Sequence, residues 1–168
     1  MMLTQIANQI GPGLKRAQAL NLLEQARSML GTSPRVENQE QMGALLEIAR
    51  AFSRYDSKRA FEIVEPLLDQ FNEISAAALV INGFGLDSYQ DGELQMQNGN
   101  SVSNVANQLV QALSTLTPAN FDRAKAGADR LERQEVRISA YLAIAQQAMG
   151  LDENRRSAGR GRRIITRQ

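Results

Sequence analysis

The sequence predicts an all-α protein in which antiparallel helical hairpins stack on one another as a short α-α superhelix. Apolar residues recur at every third or fourth position along most of the 168 residues. Residues that start and end helices stand at the limits of these stripes. Sustained alternation of apolar and polar residues, which is typical of strands, is confined to residues 93–97.

Six stripes at helical spacing define the main predicted helices. They comprise Leu20, Leu23, Ala26, Met29 and Leu30; Met42, Leu45, Leu46, Ala49 and Phe52; Ala60, Phe61, Val64, Leu67, Leu68 and Phe71; Val105, Leu109, Ala112, Leu113 and Leu116; Phe121, Ala124, Ala128 and Leu131; and Ile138, Tyr141, Leu142, Ala145, Ala148 and Met149. A short helix is also predicted near residues 3–10. Because one helical hairpin cannot bury its stripe alone, we expect neighbouring hairpins to share a core.

The residues between the stripes predict how the helices begin, end and bend. Gly31 follows the first stripe as a C-terminal cap, and Asp56 or Ser57 is placed to cap the next helix start. Pro66 falls inside a stripe and predicts a kink. The Gly-rich residues 83–100 predict a long loop, or a small hairpin that turns at Asp91-Gly92.

Two short patterns recur along the chain. Lys15-Arg16-Ala17 is repeated as Lys58-Arg59-Ala60 and as Asp122-Arg123-Ala124, with separations of 43 and 64 residues. The Ala in each copy is expected to face the core. Residues 44–49 are echoed by residues 140–145, which lie 96 positions later. These echoes indicate one helical hairpin used several times.

The residues of the second and third stripes resemble the tetratricopeptide repeat pattern. The resemblance rests on Ile48-Ala49, Ala51-Phe52, Ala60, Val64 and Leu67-Leu68, and covers residues 37–72. Residues 120–124 are similar to its aromatic-x-x-Ala helix start, within a weaker match over 104–150. The 43-residue spacing is closer to HEAT or armadillo repeats. The resemblance implies an α-α superhelix that binds peptides or partner proteins on a concave face.

Composition excludes several kinds of enzyme. The chain has no His and no Cys, so imidazole bases, thiol nucleophiles and Cys/His zinc sites are all ruled out. The acids Asp87, Asp91 and Glu93 share one loop, but they lack the spacing of a calcium loop. Glu62, Glu65 and Asp69 are interpreted as a solvated helix face. We therefore expect no catalytic residues, no cofactor and no metal.

Charge divides the chain into a body and a tail. Six Arg and two acids give residues 152–168 a charge of +4, which leaves −3 for residues 1–151. We predict one helical repeat domain over 1–150, with 83–100 as a loop insertion, and a disordered Arg-rich tail over 151–168. Because no run of about 20 apolar residues and no signal-like N-terminus is present, a cytoplasmic protein without membrane association is expected.

The favoured function is a non-catalytic protein–protein interaction scaffold that binds a peptide or partner segment in a groove of the helical repeats. The candidate groove residues are Arg16, Arg59, Arg123, Gln39, Asn104, Asn107, Gln108 and Gln111. Alternatively, the three Arg pair with neighbouring helices, which is the preferred interpretation of that set. An alternative interpretation of the amides is that they only solvate exposed helix faces. Self-association of the chain is left open.

A second function remains open for the tail. Arg155, Arg156, Arg160, Arg162 and Arg163 are suited to contact a nucleic-acid backbone, with the helical body serving as a dimerisation or docking unit. Deleting residues 154–168 would remove such binding and leave capture of a protein partner unchanged. No aromatic residues are interleaved with these Arg, which does not favour base stacking.

Overall fold

The all-α prediction is confirmed by the computed structural model, which describes residues 16–31, 35–84, 87–97 and 99–150. The described helices and strands are α1 (Arg16–Met29), α2 (Gln39–Ser53), α3 (Ser57–Val80), β1 (Tyr89–Gln90), β2 (Glu93–Leu94), α4 (Ser101–Leu116), α5 (Phe121–Asp129) and α6 (Gln134–Ala148). The helix predicted near residues 3–10 and the tail predicted over 151–168 lie outside the described residues.

Short polar side chains start four of the six described helices. Asn38, Asp56, Asn100 and Asn120 each accept a hydrogen bond from the backbone N–H three residues later. Of the two predicted cap residues, Asp56 and Ser57, it is Asp56 that caps α3. Gly31 follows the end of α1 with φ at +93°, a backbone conformation that favours glycine.

Pro66 lies on an exposed position inside α3, which continues as one helix from Ser57 to Val80. The proline at which the sequence predicts a kink therefore does not divide the helix. The apolar side of α3 stays continuous across it, because Val64, Leu67 and Leu68 are all buried.

The core forms where α4 meets four other helices. This helix packs against α2, α3, α5 and α6, while α2 packs against α1 and α3. The largest fully buried side chains include Phe52, Phe61, Phe71, Leu109 and Leu113. The predicted stripes of α2, α3 and α4 are buried or partly buried at every position, so these three helices follow the sequence pattern closely.

Buried positions of α2 and α3 recur 64 residues later, in α4, in α5 and, at Leu131, two residues past the end of α5. Buried positions that correspond in this way are Met42 and Ala106, Leu46 and Val110, Ala49 and Leu113, Phe52 and Leu116, Ala60 and Ala124, and Leu67 and Leu131. The caps Asp56 and Asn120 correspond as well. The first copy of the short signature differs: Ala17 is exposed and Ala19 is buried instead, so the prediction that Ala17 faces the core is wrong.

The described part of the Gly-rich stretch contains a small hairpin, as one of the two predicted alternatives. Tyr89 pairs with Leu94 and Gln90 with Glu93, in antiparallel register. The turn residues Asp91 and Gly92 have φ values of +51° and +82°. Positive φ at both central residues is the geometry that Asp-Gly favours in a two-residue hairpin turn.

This hairpin is bonded to the helices. The side-chain oxygen of Asn82 accepts from the backbone N–H groups of Ser88 and Tyr89, each at 3.0 Å. The Tyr89 hydroxyl donates to the Ser75 carbonyl of α3 at 2.8 Å, and the backbone N–H of Leu94 donates to Glu135 of α6 at 2.8 Å. The hairpin therefore connects the end of α3 to the start of α6.

The apolar stripe predicted for α6 is exposed instead of buried. Ile138, Tyr141, Leu142 and Met149 are 48%, 37%, 59% and 65% exposed, whereas Val136, Ala140 and Ile144 are buried. The predicted buried side is wrong because α6 carries apolar residues on two sides. A helix with two apolar sides does not show from sequence which one meets the core.

Candidate interaction surface

The three candidate Arg residues contact neighbouring parts of the chain. Arg59 forms an ion pair with Glu24 of α1, and Arg123 forms one with Glu65 of α3. Arg16 donates to the Tyr55 carbonyl in the turn between α2 and α3. Pairing with neighbouring helices, the preferred interpretation of this set, is present at Arg59 and Arg123.

The contact between Arg123 and Glu65 is the best formed of these. The guanidinium donates twice to the carboxylate, at 2.7 Å and 3.1 Å, and its central carbon lies 4.7 Å from the centre of the Phe61 ring. The hydrogen bond from Arg123 holds the pKa of Glu65 below its ordinary value, and burial opposes this shift. A second ion pair joins Asp69, one helical turn after Glu65 on α3, to Arg130, the residue that follows α5.

We expect Glu65→Gln to lower the free energy of unfolding by about 1 kcal/mol at pH 7, because the pair is only partly screened by water. Glu65 has a lowered pKa in the folded state, so its stabilisation is present above the ordinary value of 4.5 and is lost as pH falls through the lowered value. Urea unfolding at neutral and acidic pH measures this.

The exposed Glu62→Gln variant is the matched control on α3, with an expected change within about 0.5 kcal/mol. A difference between Glu65→Gln and the unmodified chain that persists undiminished in acid would contradict the assignment.

The candidate amides are divided between local hydrogen bonds and exposed positions. Asn104 donates to the Gly99 carbonyl at 3.0 Å, and Asn107 donates to the Met96 carbonyl at 3.2 Å. These bonds hold Met96 and Gly99 against α4. Gln39 and Gln111 are exposed, at the start of α2 and along α4 respectively.

Gln108 marks the close approach of α2 and α4. An ideal Cβ on Gly43 would lie 3.1 Å from Gln108 Oε1, so the glycine makes room for the amide. Within the described ranges, no hydrogen bond joins these amides to the three Arg residues. The Arg residues stand at the starts of α1, α3 and α5, and the amides stand on α2 and α4.

The outward side of α6 is the feature that the sequence pattern did not identify as a surface. We define the α6 outer face as the exposed residues Ile138, Tyr141, Leu142, Ala145 and Met149. Their spacing places them on one side of the helix over three turns. Residues 138–150 contain no charged side chain. Exposed apolar side chains grouped in this way typically mark an interaction site.

The signal for this face was present in the sequence. Apolar residues at 136, 140 and 144 fall on one side of α6, and those at 138, 142, 145 and 149 fall on another. One helix therefore carries two apolar sides, and a helix packed on one of them leaves the other open.

A polar cluster borders the outer face on one side. The Tyr141 hydroxyl donates to Asp129, and Lys125 donates to the same carboxylate at 3.0 Å. The hydrogen bonds from Tyr141 and Lys125 lower the pKa of Asp129. The Lys125 Nζ also lies 5.9 Å from the centre of the Tyr141 ring, so charged groups of α5 adjoin the outer face.

A second set of exposed apolar residues lies around the end of α3. Val80, Ile81 and Phe84 are 79%, 47% and 88% exposed. They adjoin residues 85–86, which lie outside the described chain. We define Val80, Ile81 and Phe84 as the reference surface.

The described structure contains several open clefts. One of about 520 Å³ lies between α1, α2 and α3 and is lined by Leu45, Ile63 and Pro66 among others. Across the residues that the structure describes, no group of three or more carboxylates is placed to hold a metal ion. None of the described helices is long and apolar enough to cross a membrane.

The tail residues Arg155, Arg156, Arg160, Arg162 and Arg163 lie outside the described part of the chain. No protein-family model, no curated protein and no solved structure shows significant similarity to this chain.

Proposed function

We propose that the chain is a non-catalytic interaction scaffold of stacked helical hairpins, and that its α6 outer face binds an amphipathic segment of a partner protein. The observation that carries the proposal is the exposure of four large apolar side chains along three turns of α6. In this proposal, α2 with α3 and α4 with α5 are successive hairpins of a short α-α superhelix.

The repeat relation supports the α6 outer face as a place for a helix. Ile138, Leu142 and Ala145 lie 96 residues after Met42, Leu46 and Ala49 of α2, which are buried. In this alignment α6 is the first helix of a third hairpin. The side that α2 and α4 cover with neighbouring helices is the side that α6 leaves exposed.

The contact between α4 and α5 indicates how closely such a helix packs. Leu113 of α4 corresponds to Ala145 of α6 in the alignment. An ideal Cβ on Gly127 of α5 would lie 2.8 Å from Leu113 Cδ2, so α5 passes directly over Leu113. Ala145 has no such cover and remains exposed.

The same contacts suggest which partner fits. The helices that pack against α2 and α4 carry small buried residues, at Ala60 in α3 and at Ala124, Gly127 and Ala128 in α5, and Gly127 lies against Leu113 of α4. We therefore expect the partner segment to be an amphipathic helix with a small residue at the centre of its apolar side. Small residues at a helix crossing allow the axes to approach to about 8 Å.

A fluorescence titration tests the proposal. Because the chain has no Cys, Met149→Cys accepts a single environment-sensitive dye at the edge of the outer face. The probe is a synthetic peptide with the sequence of residues 56–73, which includes the apolar side of α3. We expect a saturable blue shift, and binding at least about tenfold weaker for a peptide carrying Val64→Ser and Leu67→Ser.

The same dye at Val80→Cys, in the reference surface at the end of α3, is the matched control. We expect no saturable shift there. Equal responses at the two labelled positions, or equal binding of the two peptides, would contradict the proposed site.

A further inference from the structure

The side chain of Asn82 joins the end of α3 to the hairpin of β1 and β2. Its carboxamide forms three hydrogen bonds with the backbone at the start of the hairpin. Oδ1 accepts from the N–H groups of Ser88 and Tyr89, and Nδ2 donates to the Tyr89 carbonyl, each at 3.0 Å. Because only the oxygen can accept and only the nitrogen can donate, both halves of the carboxamide are needed to hold the hairpin.

Gly83 gives Asn82 a second kind of chemistry. The backbone nitrogen of a glycine is not shielded by a side chain on its own residue, so it can approach the carboxamide of the asparagine before it. An ideal Cβ on Gly83 would have no atom within 4 Å, so the space beside its Cα is open. Val80 and Phe84, on either side of the pair, are 79% and 88% exposed. The other Asn-Gly pair, Asn98-Gly99, begins at a residue outside the described part of the chain.

The reaction open to such a pair is deamidation through a cyclic imide. The backbone nitrogen of Gly83 attacks Cγ of Asn82, and a new C–N bond forms while the Cγ–Nδ2 bond breaks. The side-chain nitrogen takes the proton from the Gly83 N–H and leaves as ammonia. Water then adds to one of the two imide carbonyls and opens the ring, which gives aspartate or isoaspartate. No oxidation or reduction takes place.

The hydrogen bonds of Asn82 oppose this reaction. Ring closure makes Cγ tetrahedral and removes Nδ2, so the bond from Nδ2 to the Tyr89 carbonyl has to break first. Tyr89 is itself held by the contact of its hydroxyl with Ser75 of α3. The rate at Asn82 is therefore the rate in an unrestrained chain multiplied by the fraction of molecules in which the hairpin is open.

The product of the reaction does not restore the contact. In aspartate, a charged acceptor takes the place of the Nδ2 donor and faces the Tyr89 carbonyl, which is also an acceptor. Two acceptors at this distance repel each other, and the hydrogen bond is lost. Isoaspartate adds a methylene group to the main chain between α3 and the hairpin. Both products hold the hairpin less firmly than asparagine does.

We infer that Asn82 is a deamidation site controlled by the hairpin: opening of the hairpin allows Gly83 to attack, and the resulting carboxylate weakens the closed state. The change extends beyond the end of α3, because the backbone N–H of Leu94 in the same hairpin donates to Glu135 of α6. This inference is independent of the proposed binding at the α6 outer face.

Peptide mapping by mass spectrometry measures the reaction. The full chain and a synthetic peptide with the sequence of residues 78–88 are incubated together in mildly alkaline buffer. We expect Asn82 to convert at least about tenfold more slowly in the folded chain than in the peptide, which has no hairpin to open. Asn72 is the matched internal control. Its amide also bridges two segments, but Glu73 follows it, so we expect it to remain unmodified.

Two variants distinguish opening of the hairpin from unfolding of the whole chain. Tyr89→Ala removes the contact with α3 and should accelerate conversion of Asn82 at least about tenfold, whereas Gly127→Val destabilises α5 and should accelerate it much less. Tyr89→Phe, which keeps the ring, should give an intermediate rate and serves as the test if the Ala variant does not fold. Circular dichroism verifies that the variants remain helical.

Several results would overturn the inference. Equal rates in the folded chain and the peptide would show that the hydrogen bonds do not protect the amide. Equal acceleration in the Tyr89 variants and in Gly127→Val would show that the hairpin does not control the reaction. A folded chain and Tyr89 variants that all remain unmodified while the peptide converts completely would show that Asn82 is not a deamidation site.

Asn82→Asp reproduces the aspartate product and tests its consequence. We expect amide hydrogen exchange at Leu94 to become at least about tenfold faster, because the hairpin is released from α3. Asn72→Asp makes the same chemical change at a bridging asparagine within α3 and should leave exchange at Leu94 unchanged. Equal exchange at Leu94 in Asn82→Asp and the unmodified chain would overturn the proposed effect of the modification.

Discussion

Replacing Tyr89 with Ala is expected to lower the free energy of unfolding by about 3 to 4 kcal/mol, in the range of a buried aromatic truncated to Ala. The Tyr89 side chain is 6% exposed, although it belongs to a strand of two residues. Its ring lies 4.7 Å below the Arg133 guanidinium, and its hydroxyl contacts Ser75. The variant therefore loses apolar burial, a cation–π contact and two hydrogen bonds together.

Tyr89→Phe separates these contributions. It keeps the ring and removes the hydroxyl, so a loss of about 1 kcal/mol is expected. Urea unfolding followed by circular dichroism measures both variants. A loss below about 1 kcal/mol for Tyr89→Ala would show that the hairpin is not anchored to α3 and α6 as described.

Gly127→Val is expected to destabilise the chain by about 2 to 3 kcal/mol through overpacking. An ideal Cβ at this position would lie 2.8 Å from Leu113 Cδ2 and 3.4 Å from Leu68 Cδ1. Both of these leucines are at most 1% exposed, so neither can move aside into solvent. The variant would separate α5 from α3 and α4.

Ala126→Val is the matched control on α5. This position is exposed, so only the lower helix propensity of Val acts, at about 0.6 kcal/mol. Thermal unfolding of both variants measures the difference. Equal stabilities for Gly127→Val and Ala126→Val would mean that α5 does not pack closely over α4.

Most of the helical framework could be predicted from sequence because its signals are local. The stripes of α2, α3 and α4, the cap Asp56 and the turn Asp91-Gly92 each depend on residues within a few positions of one another. Such features are set by backbone periodicity and by short-range hydrogen bonds.

The remaining features depend on contacts between distant segments. The anchoring of Tyr89 involves Ser75 and Arg133, and the partner of Arg123 is 58 residues away in the chain. The orientation of α6 depends on which of its two apolar sides meets α4 and α5. No local pattern distinguishes these sides, so a candidate site predicted from polar residues missed the apolar face.

The central claim is that α6 packs through Ala140 and leaves Ala145 open. Alkylation of single-cysteine variants tests this directly, because the unmodified chain contains no thiol. In dilute protein, Ala145→Cys should react with a maleimide nearly as fast as a free peptide thiol, and Ala140→Cys should react more slowly by orders of magnitude. Fast reaction at position 140 with protection at position 145 would contradict the account.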